Sequence, residues 1–162
     1  MEVDLGLIAR LLGAGISVGF GGMGSGVGEG LCAHHANGAI ARQPAAADQI
    51  VRTMLVAQAV AETSGIFGLL VAFVLVFGSV VGPPLVQFAV ALGAGIAMGM
   101  GGIGPGVGAG IAGASACEGV GRQPRLSGLL TRTMLIGQAV SQSTAVYSLV
   151  IALLLIFVVG GG

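Results

Sequence analysis

The stretch GFGGMGSGVGEG, residues 19–30, recurs 80 positions later as GMGGIGPGVGAG, residues 99–110. Glycine occupies almost every second position in both stretches, and small residues at such spacing let helix backbones approach closely in a membrane. The glycines cover more than one face of each helix, so each helix can pack against like neighbours on two sides. This pattern favours a closed ring of helices, and an ordinary GxxxG dimer contact is the alternative.

The repetition extends beyond the glycines. The same shift aligns TMLVAQAV at 53–60 with TMLIGQAV at 133–140 without a gap, so the chain is a tandem duplication of one unit. We therefore predict two domains, residues 1–80 and residues 81–162. Each unit also carries an Arg-Gln-Pro turn: Arg42, Gln43 and Pro44 in the first, and Arg122, Gln123 and Pro124 in the second.

The composition is that of a membrane protein. The mean hydropathy is +1.03, and charged residues make up only 7% of the 162 residues, against about 25% in soluble domains. Each unit holds two long apolar segments, which predicts an all-α fold of four transmembrane helices in two tandem hairpins. The segments are roughly Leu5–Asn37, Asp48–Ser79, Val86–Cys117 and Leu129–Val159, with N-caps predicted at Asp48 and Ser127.

The charges predict how the chain lies in the membrane. Five of the six arginines lie in the two segments around the Arg-Gln-Pro turns, whereas Glu2 and Asp4 lie at the start of the chain. By the positive-inside rule, the turns face the cytoplasm and both termini lie on the other side of a bacterial-type cytoplasmic membrane. The net charge is zero, so no electrostatic argument supports a nucleic-acid partner. The sequence assigns no role to His34, His35 or Pro105.

Two carboxylates interrupt the apolar segments of the first unit. Glu62 lies ten residues after Arg52, so at ~1.5 Å of rise per residue an interfacial Arg52 places Glu62 near the middle of the bilayer. Glu29 reaches a comparable depth in the preceding helix. A carboxylate in the hydrocarbon region is costly and is by default a functional-site hypothesis. The second unit has Ala109 and Gln142 at these positions. Because both acids are lost together, we predict that they form one site; a lone Glu29 facing a wet cavity is the alternative.

The second unit offers hydroxyl groups where the first offers acids. In a closed ring of alternating hairpins, Glu29 and Glu62 would meet the neighbour's Val140 carbonyl, Ser143 and Tyr147. Two carboxylates sharing one monovalent cation should keep one proton between them. These oxygens favour Na⁺ at Glu29 and Glu62, with H⁺ as the alternative; no cofactor besides the ion is expected. The predicted ion-binding residues are Glu29, Glu62, Thr63, Val140, Ser143 and Tyr147. The opposite interface, where Ala109 and Gln142 face Thr63 and Phe67, should hold no ion.

These residues resemble a known family. The alternating glycines, the Arg-Gln-Pro turn and QAVAETSGIF at 58–67 resemble the ring-forming proteolipid, or c-subunit, of F-type rotary ATP synthases. The resemblance covers nearly the whole chain in two copies. Duplication to four helices resembles the V-type proteolipid, in which the acid typically lies in the second hairpin. Here the acid lies in the first hairpin, so the chain resembles an F/V-hybrid rotor proteolipid.

The resemblance implies a mechanism and partners. It implies that Glu62 is the carboxylate whose loading and release against a stator arginine turns the ring, and that the Arg-Gln-Pro turns face the central stalk. It implies that Glu29 joins Glu62 in coordination and that a neighbour's Tyr147 holds the Glu62 carboxyl. Phe67 departs from the Tyr expected of a sodium ring, and Tyr147 would restore it. The implied partners are further copies of the chain, with or without two-helix proteolipids in the same ring, the stator, the stalk and lipid.

The alternative function is a passive oligomeric pore or a structural four-helix membrane protein. A pore would line its lumen with polar residues along one helix, whereas the glycine-rich helices offer only isolated polar positions. A structural protein has no need of Glu62. The sequence contains no visible nucleophile, base or metal cluster, so we do not expect an enzyme, and any ATP hydrolysis would belong to partner subunits.

Overall fold

Four long apolar helical segments make up the protein, as a computed structural model of residues 4–161 shows. This confirms the predicted all-α fold; Glu2 lies outside the described residues. Each of the four segments is long and apolar enough to cross a membrane. The second segment consists of two helices separated by one residue. The helices are α1 Leu5–Arg42, α2 Ala47–Ala61, α3 Thr63–Phe77, α4 Pro84–Arg122 and α5 Ser127–Leu154, followed by a π-helical turn, Leu155–Val159.

The helices differ from the predicted segments at their ends near the turns. α1 continues to Arg42 and α4 to Arg122, because the small residues there do not stop a helix. The predicted N-caps at Asp48 and Ser127 are wrong. Each proline of the Arg-Gln-Pro turns starts a short 3₁₀ turn that leads directly into the next helix, and neither α2 nor α5 has a side-chain cap. Proline has its φ preset for a helical start, which makes a side-chain cap unnecessary.

α1 and α4 pack against each other at the centre of the molecule, through their glycines. A Cβ atom on Gly24 would lie 2.6 Å from the Cα atom of Ile103, and one on Gly106 would lie 2.6 Å from the carbonyl carbon of Gly24. Only glycine permits backbones this close. The α2–α3 segment packs on α1 and α4, and α5 packs on α4. We call α1 to α3 the first hairpin, and α4 with α5 the second.

Two apolar clusters fill the interior, and a polar layer separates them. The cluster nearer the termini contains Leu75 and Met98, whereas the cluster nearer the turns contains Ile50 and the free thiols Cys32 and Cys117. The buried polar side chains of the layer between them include Ser25, Ser64, Gln138 and Gln142. The fold therefore concentrates its buried hydrogen-bonding groups near the middle of the bundle.

Polar contacts tie the helices together near both ends. His35 Nδ1 lies 2.7 Å from Glu118 Oε1, which joins α1 to α4 near the turns. At the other end, the Arg10 guanidinium donates a hydrogen bond of 2.5 Å to the Gly78 carbonyl, where α3 ends. A positive charge at a helix C-terminus complements the helix dipole. His35, which has no predicted role in the sequence, is thus part of an interhelical contact.

Candidate ion-binding site

The helix is interrupted at Glu62, and Ser25 of α1 lies at the interruption. α2 ends at Ala61 and α3 begins at Thr63. The Gly65 N–H donates a hydrogen bond of 2.9 Å to Ser25 Oγ, which in turn donates one of 2.9 Å to the Ala61 carbonyl. In an unbroken α-helix, the N–H of residue 65 would donate to the carbonyl of residue 61. The Ser25 hydroxyl is therefore inserted into one rung of the helix, a known cause of helix irregularity.

Glu29 and Glu62 come together on the first hairpin. Their carboxyl groups are within interaction range of each other, and the Glu62 side chain is exposed on the surface of the single chain. Glu29 Oε1 is buried and has no hydrogen-bond partner within residues 4–161. A buried oxygen without a partner calls for an unseen proton donor, water or ion. The pair therefore has the chemistry to hold a proton or a small cation.

Val140 and Tyr147 lie on the other hairpin and do not reach this pair. They are seven residues apart on α5, so they share one helix face, and they are 70% and 65% exposed. Ser143 Oγ donates a hydrogen bond of 2.7 Å to the Val140 carbonyl. Thr63 is partly buried next to Glu62. A single chain therefore presents the predicted acids and the predicted α5 ligands on separate surfaces.

The two carboxylates of the first hairpin are not joined by a third side chain of a usual metal-binding type within the described residues. Residues 4–161 contain no group of three or more His, Cys, Asp or Glu side chains arranged to hold a metal ion. Further ligands for an ion at Glu62 would have to be oxygen atoms of hydroxyl or carbonyl groups, or come from another chain.

Two glutamine side chains of α5 join the second hairpin to the first. Gln142 Nε2 donates a hydrogen bond of 3.0 Å to the Val60 carbonyl. Gln138 Nε2 donates to the Ala109 carbonyl at 2.8 Å and to the Ala57 carbonyl at 3.3 Å. Gln142 is the repeat partner of Glu62. A negatively charged carboxylate at position 142 would face the Val60 carbonyl oxygen without a hydrogen to donate. The amide supplies a hydrogen-bond donor and needs no cation.

Replacing Gln142 by Leu should weaken the contact between the hairpins. The Val60 carbonyl would lose its side-chain donor in a buried setting, which costs about 1–3 kcal/mol. Thermal unfolding of the detergent-purified protein measures the loss. Thr144→Val is the matched control, because Thr144 Oγ1 bonds only to Ser141 of its own helix and the residue is exposed. Equal stability of the two variants would contradict this role of Gln142.

Two residues of this region have no predicted role in the sequence. Ser25 could have been noticed because its repeat partner is Pro105, a change that removes a hydroxyl from an otherwise matching stretch. Gln138 carries a weaker signal, since its repeat partner Gln58 is also glutamine. Gln58 Nε2 donates to the Glu29 carbonyl at 3.3 Å, as Gln138 does to that of Ala109. These amides therefore hold the two helices of each hairpin together at the same level.

The chain is similar to c-subunits of ATP synthases. The family model for the ATP synthase C-subunit matches the chain twice, at residues 12–75 and 92–155. The chain is 54% identical to the ATP synthase c-subunit of Alkaliphilus oremlandii over 78 residues, which cover 48% of this chain and 88% of the relative. It is 52% identical to the ATP synthase c-subunit of Petrotoga mobilis over 81 residues, 50% of this chain and 84% of the relative. It is 49% identical to that of Thermotoga petrophila over 71 residues, 44% of this chain and 84% of the relative.

Proposed function

Because the chain belongs to the ATP synthase C-subunit family, we propose that it forms the rotor ring of a rotary ATP synthase or ATPase and that Glu62 carries its transported ion. It is an integral membrane protein and a structural component of the rotor, and catalysis is assigned to other subunits. The observation that carries the proposal is the asymmetry of the chain. One open surface holds the acids Glu29 and Glu62, and another holds Val140 and Tyr147.

The internal repeat supplies the geometry for joining one copy to the next. Five glycines of α4 lie against the backbone of α1: Gly95, Gly99, Gly102, Gly106 and Gly110. Their five repeat partners on α1 have nothing within 4 Å of a Cβ atom: Gly15, Gly19, Gly22, Gly26 and Gly30. We call these five the open glycine row. A second copy whose α4 packs on this row would repeat the contact within the chain, and a head-to-tail contact of this kind closes into a ring.

The same relation would complete the ion site. Gln142 donates to the Val60 carbonyl within the chain; the equivalent pair between copies is Glu62 and the Val140 carbonyl. This pairing brings Ser143 and Tyr147 of one copy beside Glu29 and Glu62 of the next. Thr63, directly after Glu62, is the remaining candidate ligand. Every second interface around the ring would then carry an ion site, and the interfaces within chains would carry the amide.

The proposed ion is Na⁺. A proton needs a single carboxyl oxygen, whereas Na⁺ needs several oxygen ligands. The unpartnered Glu29 Oε1, the Val140 carbonyl and the Ser143 hydroxyl would supply them beside Glu62. One proton retained between the two carboxyl groups leaves the loaded site without net charge, which low-dielectric surroundings require. H⁺ alone is the other ion that a carboxylate at this position can carry.

Charge neutralisation would couple the ion to rotation. A carboxylate whose charge is cancelled by a cation can face lipid, and an empty one cannot. The ring therefore turns through lipid only with filled sites and empties them beside a positive stator residue. α1 has 38 residues, about 57 Å at ~1.5 Å per residue, against a hydrocarbon core of about 30 Å. We place the excess length and the Arg-Gln-Pro turns in the cytoplasm, against the central stalk, with both termini on the opposite side.

Sodium protection of Glu62 against a carbodiimide tests the ion. Carbodiimides modify protonated carboxyl groups, so we expect Na⁺ to slow the labelling of Glu62 in the purified ring, whereas K⁺ at equal ionic strength does not. The rate is measured by mass spectrometry across a series of pH values. Glu29→Leu, which removes both oxygen atoms, should retain labelling and lose much of the sodium protection. Labelling that Na⁺ leaves unchanged at every pH identifies a proton rotor; a Glu62 that is never labelled argues against the site itself.

A further inference from the structure

We propose that Ser25 is a positioning residue that keeps the helix interrupted between α2 and α3 at Glu62, so that the carboxyl can change its position during ion exchange. The purpose of the opening rests on the proposed function. The opening itself rests on hydrogen bonds within one chain. Ser25 is not among the ion ligands and acts through the backbone on either side of Glu62.

The Ser25 hydroxyl forms hydrogen bonds on both sides of the interruption. It is buried, accepts the Gly65 N–H at 2.9 Å and donates to the Ala61 carbonyl at 2.9 Å. Ser64 Oγ lies 3.1 Å from Ser25 Oγ and donates to the Ala61 carbonyl at 3.4 Å. A hydroxyl group has one donor and two acceptor positions; here the donor is used by the Ala61 carbonyl and one acceptor position by the Gly65 N–H. The hydroxyl therefore substitutes for the backbone bond from Gly65 to Ala61 and leaves none of these groups unpaired.

Glycine at position 65 leaves room for the inserted hydroxyl. A Cβ atom on Gly65 would lie 2.9 Å from Ser25 Oγ and 3.4 Å from its Cβ atom, which is too close for an unmoved side chain. In the second hairpin, both members of this pair are replaced, by Pro105 and Ala145. Pro105 offers no hydroxyl group, and α5 runs from Ser127 to Leu154 without interruption.

The interruption between α2 and α3 occurs in the same hairpin as the two acids. The two repeats differ here at the residues that carry the acids and the insertion: Ser25, Glu29, Glu62 and Gly65 stand where the second repeat has Pro105, Ala109, Gln142 and Ala145. An exchanging carboxyl must leave Glu29, meet a stator charge and return. A break in the helix gives the backbone a point at which φ and ψ can change at low cost. Gln142 exchanges nothing and lies in a continuous helix.

Hydrogen–deuterium exchange of the purified ring tests whether Ser25 makes the break. The peptides covering residues 58–68 and 138–148 are repeat partners, so each chain contains its own reference. We expect the amides at 63–65 to exchange about tenfold faster than those at 143–145, because an interrupted helix opens locally at lower cost than a continuous one. Ser25→Ala lets Gly65 bond to Ala61 and should remove the difference. Pro105→Ala, the same change in the other repeat, should leave it in place.

Two further variants keep the test decisive if Ser25→Ala assembles poorly. Gly65→Ala crowds the Ser25 hydroxyl and should close the helix by a different route. The double variant Pro105→Ser with Ala145→Gly should open α5 at Gln142 and raise exchange at 143–145. Equal exchange of the two native peptides, or no response to Ser25→Ala, would overturn the proposal, whatever ion the ring carries.

The rate of ion exchange separates positioning from a merely structural role. After Na⁺ is diluted from a loaded ring, carbodiimide labelling of Glu62 returns at the rate at which the ion leaves. We expect Ser25→Ala to slow this return about tenfold at unchanged final labelling, because a continuous helix would open less readily around Glu62. A closed helix with an unchanged rate would show that Ser25 shapes the helix without positioning Glu62. Failure of sodium protection in the native ring would instead count against the proposed ion, and the exchange pattern would still decide the role of Ser25.

Discussion

Glu62→Gln should abolish ion-coupled turnover while leaving the ring assembled. An amide of nearly the same size cannot carry a negative charge, so it has nothing to neutralise on meeting a cation and nothing to present to a stator residue. The second repeat already has glutamine at the equivalent position, where Gln142 donates a hydrogen bond to the Val60 carbonyl. By the same geometry, the introduced amide would donate to the Val140 carbonyl of the next copy. We therefore expect a ring at least as stable as the native one.

Two measurements on the same preparation decide this prediction. ATP-driven ion uptake into vesicles that contain the complete enzyme should fall to background, and the mass of the detergent-purified ring should not change. Asp48→Asn is the matched control: it neutralises an exposed acid of α2 and should leave uptake intact. Undiminished uptake by Glu62→Gln would remove this carboxylate from the mechanism. A lost ring would show instead that the acid is needed for assembly.

Gly26→Leu should leave the chain folded and prevent the ring from forming. Gly26 belongs to the open glycine row and has free space around it in the single chain. Its repeat partner Gly106 lies in the α1–α4 contact, where a Cβ atom would be 2.6 Å from the carbonyl carbon of Gly24. Gly106→Leu should therefore force α1 and α4 apart within the chain, at a cost of about 1–3 kcal/mol or more. Leucine at position 26 should thus disrupt the contact between copies, whereas leucine at position 106 should disrupt the contact within one chain.

Native mass spectrometry and circular dichroism distinguish these two effects. For Gly26→Leu we expect monomers with native helix content, and for Gly106→Leu a lower unfolding temperature of the chain itself. Gly128→Leu is the control, since Gly128 is exposed, has open space around it and has the exposed Asp48 as its repeat partner. A native ring mass for Gly26→Leu would exclude the open glycine row as the contact between copies.

The overall fold follows from the sequence because its determinants are local or periodic. The shift that aligns 19–30 with 99–110 reveals the duplication, and the long apolar segments give the number of helices. The ends of the helices are harder to predict. Asp48 and Ser127 have the side chains of good N-caps, but a proline four residues before Asp48 and one three residues before Ser127 start the turn first, so no cap is needed.

The candidate site is predictable only in part. Glu29 and Glu62 are conspicuous because charges in apolar segments are rare, and they do lie together. The insertion of Ser25 between Gly65 and Ala61 depends on how closely α1 approaches α2 and α3, and no local pattern encodes that distance. The bond from Gln142 to the Val60 carbonyl likewise joins residues of different hairpins. The predicted ligand set of Val140, Ser143 and Tyr147 stays a prediction, because its test requires a second copy.

The amide at Gln142 has a mechanical consequence. In a rotor built from this chain alone, every second hairpin lacks an ion-binding carboxylate. The passage of one charge therefore turns the rotor through the angle of two hairpins. The membrane supplies ~2.3 kcal/mol per charge per 100 mV, and that work is spread over twice the angle. Fewer ions then cross for each ATP, and each can be driven against a steeper gradient. Such a low ratio of ions to ATP suits a complex that hydrolyses ATP to maintain an ion gradient when the membrane voltage is too small to drive ATP synthesis.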